Sequence, residues 1–265
     1  MKHLYLLTAL AASLFVFEPY AVSDDGHHHH HHSSAPKKLV EISYTKENPN
    51  EPSYEWEKWE YAFRYDNEER VNELMYSYGN YYEYSSIEYT SRAIITGVGN
   101  AEDGEYHRGF YHLWNGRPLA CTNVSFDGLW PGDEVKLVSD GTPMHFVYNE
   151  QGQLIKTVAS DGKEVAYTWK DGNLVSIGDE GYTFEYGTEE NKIGPLAYAM
   201  PLFLRSIYSF VGLDEYIILG ISPKNLPTAI ISGKEKKTIN YTFNKEGYPV
   251  KAVSDDGMEY SFFYK

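Results

Sequence analysis

Apolar and polar residues alternate with a period of two along most of this 265-residue chain. Within residues 61–65, Tyr61, Phe63 and Tyr65 occupy every second position, and Ala62 and Arg64 lie between them. Such alternation is typical of a strand with one face toward a core and the other toward water. The same pattern predicts further strands within residues 74–78, 165–169, 182–186, 239–243 and 260–264.

Turn signals separate these predicted strands at strand-length intervals. Asp-Gly and Asn-Gly pairs supply the positive φ angles that tight hairpins require. Their regular recurrence predicts consecutive antiparallel hairpins connected as a meander. The pairs begin at Asp103, Asn115, Asp127, Asp140, Asp161, Asp171 and Asp256.

Residues 145–164 and 240–259 are two copies of one unit, aligned without a gap. Each copy reads as strand, tight turn, strand, tight turn and the start of a third strand. A hairpin unit of this kind cannot bury its apolar face alone, so it is expected to add to a larger sheet. The identical positions are Asn149/Asn244, Gly152/Gly247, Lys156/Lys251, Val158/Val253, Asp161/Asp256, Gly162/Gly257 and Glu164/Glu259.

One segment departs from the period of two. Residues 195–212 carry apolar side chains at helical spacing with Arg205 as the single charge, which predicts a helix buried against the sheet. The predicted fold class is therefore all-β, an antiparallel meander of repeated hairpins curled into a barrel-like sheet, with one apolar helical insertion near 195–212.

The first residues have the features of a processed leader. Residues 1–23 combine Lys2, a short apolar run and a small-residue cleavage site, which is the pattern of a signal peptide. Residues 24–35 are a polyhistidine tag and linker, and residues 36–53, rich in Asn and Pro near their end, are expected to be a flexible N-terminal segment. Residues 54–265 are then a single barrel-like domain of hairpin repeats, and the expected location is periplasmic or at the cell surface.

Two features resemble known families. Residues 148–155 resemble a unit of the tyrosine–aspartate hairpin repeats of bacterial wall-associated proteins. Together with the late insertion between Asn191 and Pro227, the hairpins resemble an uncharacterised family of exported Bacteroidetes lipoproteins with a porin-like fold, over most of residues 54–265. The resemblance implies a barrel around apolar contents and a native lipid anchor on an N-terminal cysteine, a residue this sequence lacks. It implies no activity.

Charge and composition exclude several classes of function. The formal net charge of −15 argues against nucleic acid or an anionic membrane as a partner. The predicted strands are short and carry charges on their second face, so they are not expected to span a bilayer. No phosphate loop, nucleophile elbow or dinucleotide fingerprint is present, and His107 and His112 fall on opposite strand faces, so neither a cofactor nor a metal is expected.

Aromatic residues make up 16% of the chain, and most are expected to fill the barrel interior. Exposed indoles beside carboxylates and amides are, however, what a sugar-binding surface uses, because ring faces stack on the apolar faces of sugars. Trp169 lies in a repeated strand and is expected to be buried. The candidate ligand-binding residues are Trp56, Trp59, Trp114 and Trp130.

The sequence favours a non-catalytic exported module of the cell envelope that binds a glycan or an envelope protein, or has a structural role. Two alternatives stay open. One is an envelope glycan hydrolase that uses a pair of the many carboxylates. The other is a carrier of a lipid or small apolar ligand, with the 195–212 helix as its lid.

Overall fold

The computed structural model describes residues 37–46, 57–78, 81–100, 106–127, 136–139, 143–178, 182–200 and 213–265. Lys37–Lys265 belong to one unit. The strands found in the described ranges are β1 Leu39–Lys46, β2 Glu57–Tyr65, β3 Val71–Tyr78, β4 Tyr81–Tyr89, β5 Ala93–Asn100, β6 Tyr106–Trp114, β7 Arg117–Asp127, β8 Lys136–Ser139, β9 Met144–Tyr148, β10 Leu154–Ala159, β11 Glu164–Lys170, β12 Asn173–Ile177, β13 Tyr182–Glu190, β14 Asn225–Ser232, β15 Glu235–Phe243, β16 Pro249–Ser254 and β17 Met258–Tyr264.

The sheet closes on itself. Except for β8 and β9, each strand pairs antiparallel with its neighbour along the chain, and β1 pairs with both β2 and β17. β8 and β9 pair with successive parts of β7 and so occupy one position in the ring, which therefore has sixteen. The prediction of an all-β antiparallel meander curled into a barrel is confirmed.

β1 is the strand that sequence reasoning did not anticipate. Residues 36–53 were expected to be flexible, but Leu39–Lys46 form β1 and complete the ring. A register shift between Leu39 and Glu41 explains the difference, because it interrupts the alternation by which a strand is recognised. Ile42 and Tyr44 on this strand are fully buried.

The inner face of the barrel is apolar and the outer face is charged. Tyr61, Phe63 and Leu74 are buried on the inner side of β2 and β3, while Arg64 and Glu73 form an ion pair of 3.0 Å on the other side. Further outer ion pairs are Lys156–Glu164 at 3.0 Å, its equivalent in the second repeat Lys251–Glu259 at 2.8 Å, and Lys236–Glu185 at 2.7 Å.

The tight turns that follow β2, β4, β6, β9, β11 and β15 lie at one end of the barrel, because the antiparallel strands alternate in direction. Lys37 and Lys265 lie at the same end, where the amide of Lys38 donates to the carbonyl of Lys265. We call this end the turn rim. It consists of Lys37, Lys265 and the turns at residues 66–70, 90–92, 115–116, 149–153, 171–172 and 244–248.

The connection between β13 and β14 starts from the turn rim and fills the interior. Its described parts contain a 3-10 helix, Gly194–Tyr198, and the helix α1, Leu213–Ile218. The ring of Tyr198 lies 5.6 Å from that of Phe184 and 5.0 Å from that of Tyr216. The helix predicted within 195–212 lies mainly outside the described residues, and its described start is the 3-10 helix.

Asparagine side chains hold the base of this insertion. Asn191 Nδ2 donates to the carbonyls of Gly194 and Pro223, at 2.8 and 2.9 Å. Asn173 Nδ2 donates to Asn225 Oδ1 at 3.0 Å, and the Asn225 amide donates to Asn173 Oδ1 at 2.8 Å. The insertion is thus joined to the turn rim at both of its ends.

Candidate functional site

Trp114 is the predicted site residue whose side chain the structure describes as exposed. It is the last residue of β6 and pairs with Arg117, the first residue of β7. Asn115 and Gly116 connect the two strands with positive φ angles of 49° and 76°, as the Asn-Gly signal predicts. The hairpin therefore carries Trp114 at the turn rim with 69% of its surface exposed.

Further apolar side chains are exposed on the neighbouring strands of the outer wall. Leu119 is 51% exposed, Val147 38% and Ile155 36%. Leu119 and Ile155 are the unpaired residues at register shifts in β7 and β10, and such irregularities re-aim side chains. We call Trp114, Leu119, Val147 and Ile155 the Trp114 patch. His112 and His145 are exposed beside it on the same wall, and Ala120 is in register with both of them.

Arg117 is laid over the next turn of the rim. A Cβ atom placed on Gly152 would lie 2.3 Å from Arg117 Nη2 and 2.6 Å from its Cζ, so the guanidinium rests where only a glycine leaves room. Burial raises the pKa of the Tyr148 hydroxyl, and the nearby positive charge of Arg117 partly opposes this rise. The contact holds the Arg117 guanidinium over the neighbouring turn between β9 and β10.

A second arginine flanks Trp114 on the opposite side. Arg92 is exposed in the turn between β4 and β5, and its carbonyl accepts a hydrogen bond of 2.9 Å from the Leu113 amide. Arg64 and Arg70 form ion pairs with carboxylates, whereas Arg92 and Arg117 form none within the described part of the chain. Sequence reasoning missed both arginines, because the Arg117–Gly152 contact joins separate hairpins and leaves no local signal.

The other three tryptophans predicted for the site are described less fully. Trp56 and Trp130 lie outside the described residues. Trp59 lies in β2, where its backbone is in register with Tyr44 and Tyr78, and its side chain is not described. The strand ends that adjoin these segments, at Glu57 and Asp127, lie at the barrel end opposite the turn rim.

Trp169 was expected to be buried and is half-buried on β11. Its Nε1 donates a hydrogen bond of 2.7 Å to the Leu154 carbonyl on β10. The indole is therefore tied to the neighbouring strand through its polar edge, which suits a structural role.

Several carboxylates of the outer wall are ion-paired. Glu73, Glu164, Glu185 and Glu259 each accept an ion pair from a lysine or arginine on the outer wall. In the described ranges no group of three or more His, Cys, Asp or Glu side chains could hold a metal ion. Cys121 is buried on the inner face.

Tyrosines dominate the barrel interior. Tyr186 donates to the Leu174 carbonyl, and its hydroxyl lies 2.7 Å from that of Tyr198. Burial raises the pKa of Tyr186, and raises that of Tyr198 and Tyr216 well above the ordinary value. These hydroxyls therefore stay protonated and do not act as acids.

The part of the chain that the structure describes contains no helix with the length and apolar character needed to cross a bilayer.

Comparison with a solved structure supports the fold. A porin-like protein from Bacteroides uniformis ATCC 8492 has 15% sequence identity and a TM-score of 0.55, over 86% of this chain and 98% of that protein. A porin-like protein from Bacteroides vulgatus ATCC 8482 has 12% identity and a TM-score of 0.37, over 86% and 99% of the two chains. No family model matches the sequence, and neither does any curated protein. The porin-like barrel expected from the resemblance is confirmed, and the lipoprotein family and its repeats stay a prediction.

Proposed function

We propose that this protein is a non-catalytic binding module of the bacterial cell envelope, exported to the periplasm or cell surface, and that it binds a glycan at Trp114. The observation that carries the proposal is the Trp114 patch on an outer wall that otherwise carries cross-strand ion pairs. An indole exposed over 69% of its surface costs hydration free energy unless a ligand covers it. The flat apolar face of a pyranose ring matches such a surface.

The distribution of charge supports an aqueous location for the barrel wall. Strands that face lipid carry an uninterrupted apolar outer band, and charges there cost about 2–4 kcal/mol at the bilayer midplane. Here the outer positions of β10 and β11 hold Lys156 and Glu164, and the equivalent positions of β16 and β17 hold Lys251 and Glu259. A native lipid anchor, which the family resemblance implies, would tether such a barrel without inserting its wall.

Two other functions are less well supported. A carrier for an apolar ligand needs interior space, whereas Tyr198, Met200, Tyr216 and Ile221 of the insertion are fully buried in the interior. A hydrolase needs two free carboxylates near its ligand, and Glu73 and Glu185 on the outer wall are both ion-paired. The structural role that the sequence also allowed would leave the exposure of Trp114 unexplained.

The test is a thermal-shift screen of the full chain against neutral and acidic saccharides, repeated with Trp114→Ala. A saccharide that binds the folded state stabilises it by about 2.7 kcal/mol at a concentration of 100 times its Kd. We expect Trp114→Ala to abolish this shift and to leave the midpoint without ligand nearly unchanged. Phe263→Ala is the matched control, since Phe263 is 46% exposed on the outer face of β17, away from the patch.

Absence of any saccharide-induced shift would remove the glycan from the proposal. A shift that persists in Trp114→Ala would place the binding site elsewhere. Loss of folding in Trp114→Ala would show that the indole has a structural role in spite of its exposure.

A further inference from the structure

The turn rim carries basic side chains that are held in place, although the protein as a whole is acidic. Three turn glycines of the rim with positive φ angles are each covered by the side chain of a basic residue from another segment. The Arg117 guanidinium covers Gly152, Lys192 Nζ lies 3.2 Å from a Cβ built on Gly247, and the aliphatic Cβ of Lys224 lies 3.2 Å from one built on Gly172. Four other turn glycines with positive φ angles have no atom within 4 Å of such a Cβ, namely Gly116 in the rim and Gly162, Gly233 and Gly257 at the opposite end.

The pattern recurs between the two copies of the repeated unit. Gly152 and Gly247 are equivalent positions, and both accept a basic side chain over the turn, Arg117 in one case and Lys192 in the other. The glycine leaves room for the basic side chain, so the position of the charge is built into the fold. Lys192 also donates to the Glu246 carbonyl and lies 5.2 Å from the Tyr248 ring, but Arg117 has no ion-pair partner within the described residues.

We propose that the ligand bound at the Trp114 patch is an acidic saccharide of the uronic acid type, whose carboxylate is bound by Arg117 while its ring stacks on Trp114, with Arg92 adding positive charge on the other side of the indole. This inference rests on the proposed function and specifies the chemistry of its ligand. Trp114 and Arg117 form the last cross-strand pair of the β6–β7 hairpin, so both side chains leave the same face of the sheet. A guanidinium binds a carboxylate through two parallel N–H donors, which gives direction as well as charge.

The net charge of −15 makes this local arrangement selective. An acidic ligand is repelled by most of the surface and is attracted where positive charges are not neutralised by neighbouring carboxylates. Along the rim near Trp114, Arg92 and Arg117 satisfy that condition in the described structure, and His112 and His145 add donors on the adjoining wall. A neutral saccharide would use the indole and leave both arginines without a partner.

The experiment compares an oligogalacturonate with its methyl-esterified form, which has the same ring and no charge. Calorimetric titration of the wild-type chain should give at least tenfold tighter binding of the acid than of the ester. Arg117→Gln and Arg92→Gln should each reduce this preference about tenfold and leave binding of the ester unchanged. Lys251→Ala is the control for loss of a surface charge, because Lys251 is ion-paired with Glu259 away from the patch.

Four results separate the possibilities. Equal binding of acid and ester, with loss of both in Trp114→Ala, would overturn the acidic ligand and leave the proposed function intact. Binding of neither compound, nor of any other saccharide, would contradict the proposed function itself. Binding to vesicles of anionic phospholipid with no saccharide binding would identify the rim as a membrane-docking surface, also against the proposal. Arg117→Lys keeps the positive charge and loses the two parallel N–H donors. An undiminished preference of this variant for the acidic saccharide over the ester would contradict the bidentate contact.

Discussion

Replacement of Gly152 by alanine tests the arrangement of the turn rim more directly than removal of a charge does. Gly152 has a φ angle of +80°, and its missing Cβ would lie 2.3 Å from Arg117 Nη2. Gly162 has a φ angle of +81° and nothing within 4 Å of the same position. The two glycines therefore share the same backbone requirement and differ in the arginine contact.

The magnitude of the backbone effect is the same at both positions. A left-handed conformation costs an alanine roughly 1–2 kcal/mol, partly offset by about 0.4–1 kcal/mol from the smaller entropy of the unfolded chain. We therefore expect each variant to lose about 1 kcal/mol, which lowers the midpoint by roughly 2–4 °C in a protein of this size. The guanidinium is the flexible end of its side chain and can swing into solvent, so the loss for Gly152→Ala should stay within about 0.5 kcal/mol of that for Gly162→Ala.

Binding should separate the two variants where stability does not. In Gly152→Ala the new methyl group displaces Arg117 by about 1 Å or more, since carbon contacts shorter than about 3.4 Å are repulsive. We expect its preference for the acidic saccharide to fall toward that of Arg117→Gln, and that of Gly162→Ala to equal the wild type. Urea unfolding and calorimetric titration of the same samples give both quantities. Equal acidic-saccharide binding by the two variants would refute the reasoning that the turn glycine positions the arginine.

Three further substitutions test the interior and the rim. Tyr186→Phe should lower the free energy of unfolding by about 1–3 kcal/mol, because the Tyr198 hydroxyl and the Leu174 carbonyl each lose a buried hydrogen-bond partner. An unchanged urea midpoint would contradict this. Met200→Ala should cost about 2–5 kcal/mol, since Met200 is fully buried in the insertion, and a loss below about 1 kcal/mol would show that the insertion does not pack the interior. Desolvation opposes ionisation of Asp66, but hydrogen bonds from Arg70 and Glu68 hold its pKa below its ordinary 3.8. Since its folded pKa is the lower one, this carboxylate stabilises the fold above the unfolded value, and the contribution is lost as the pH falls through the folded pKa. Thermal midpoints between neutral pH and about pH 2 should therefore fall less steeply in Asp66→Asn than in the wild type.

Much of the fold could be predicted because its determinants are local. Alternation with a period of two and Asn-Gly or Asp-Gly turns specify hairpins, and Asn115 and Asp171 adopt the positive φ angles that those turns require. Both copies of the repeated unit form the same turn, in which Gly152 donates to the Asn149 carbonyl and Gly247 to the Asn244 carbonyl. Closure of the ring through β1 was not predictable in the same way, because it depends on the pairing of β1 with β17, which lies far from it in the sequence.

The candidate site was only partly predictable for a related reason. Trp114 and Trp169 both lie on strands with alternating apolar and polar residues. The alternation does not show that the Trp114 indole is exposed at the rim while the Trp169 indole donates a hydrogen bond to the Leu154 carbonyl. The position of Arg117 depends on contact with Gly152 in a different hairpin. The exposure of a side chain and the positions of charges in a barrel depend on which hairpins become neighbours. That arrangement cannot be predicted from a short stretch of sequence.

The most direct test of binding at Trp114 is a nitrogen-15 NMR titration of the indole N–H signals. The chain has 5 tryptophans, so one spectrum follows Trp56, Trp59, Trp114, Trp130 and Trp169 together, with Trp114→Phe to assign its signal. We predict that an oligogalacturonate shifts the Trp114 signal and leaves that of Trp169, which donates to the Leu154 carbonyl, in place. A Trp114 signal that stays fixed at saccharide concentrations that shift other indoles would contradict the assignment of the binding site to the turn rim.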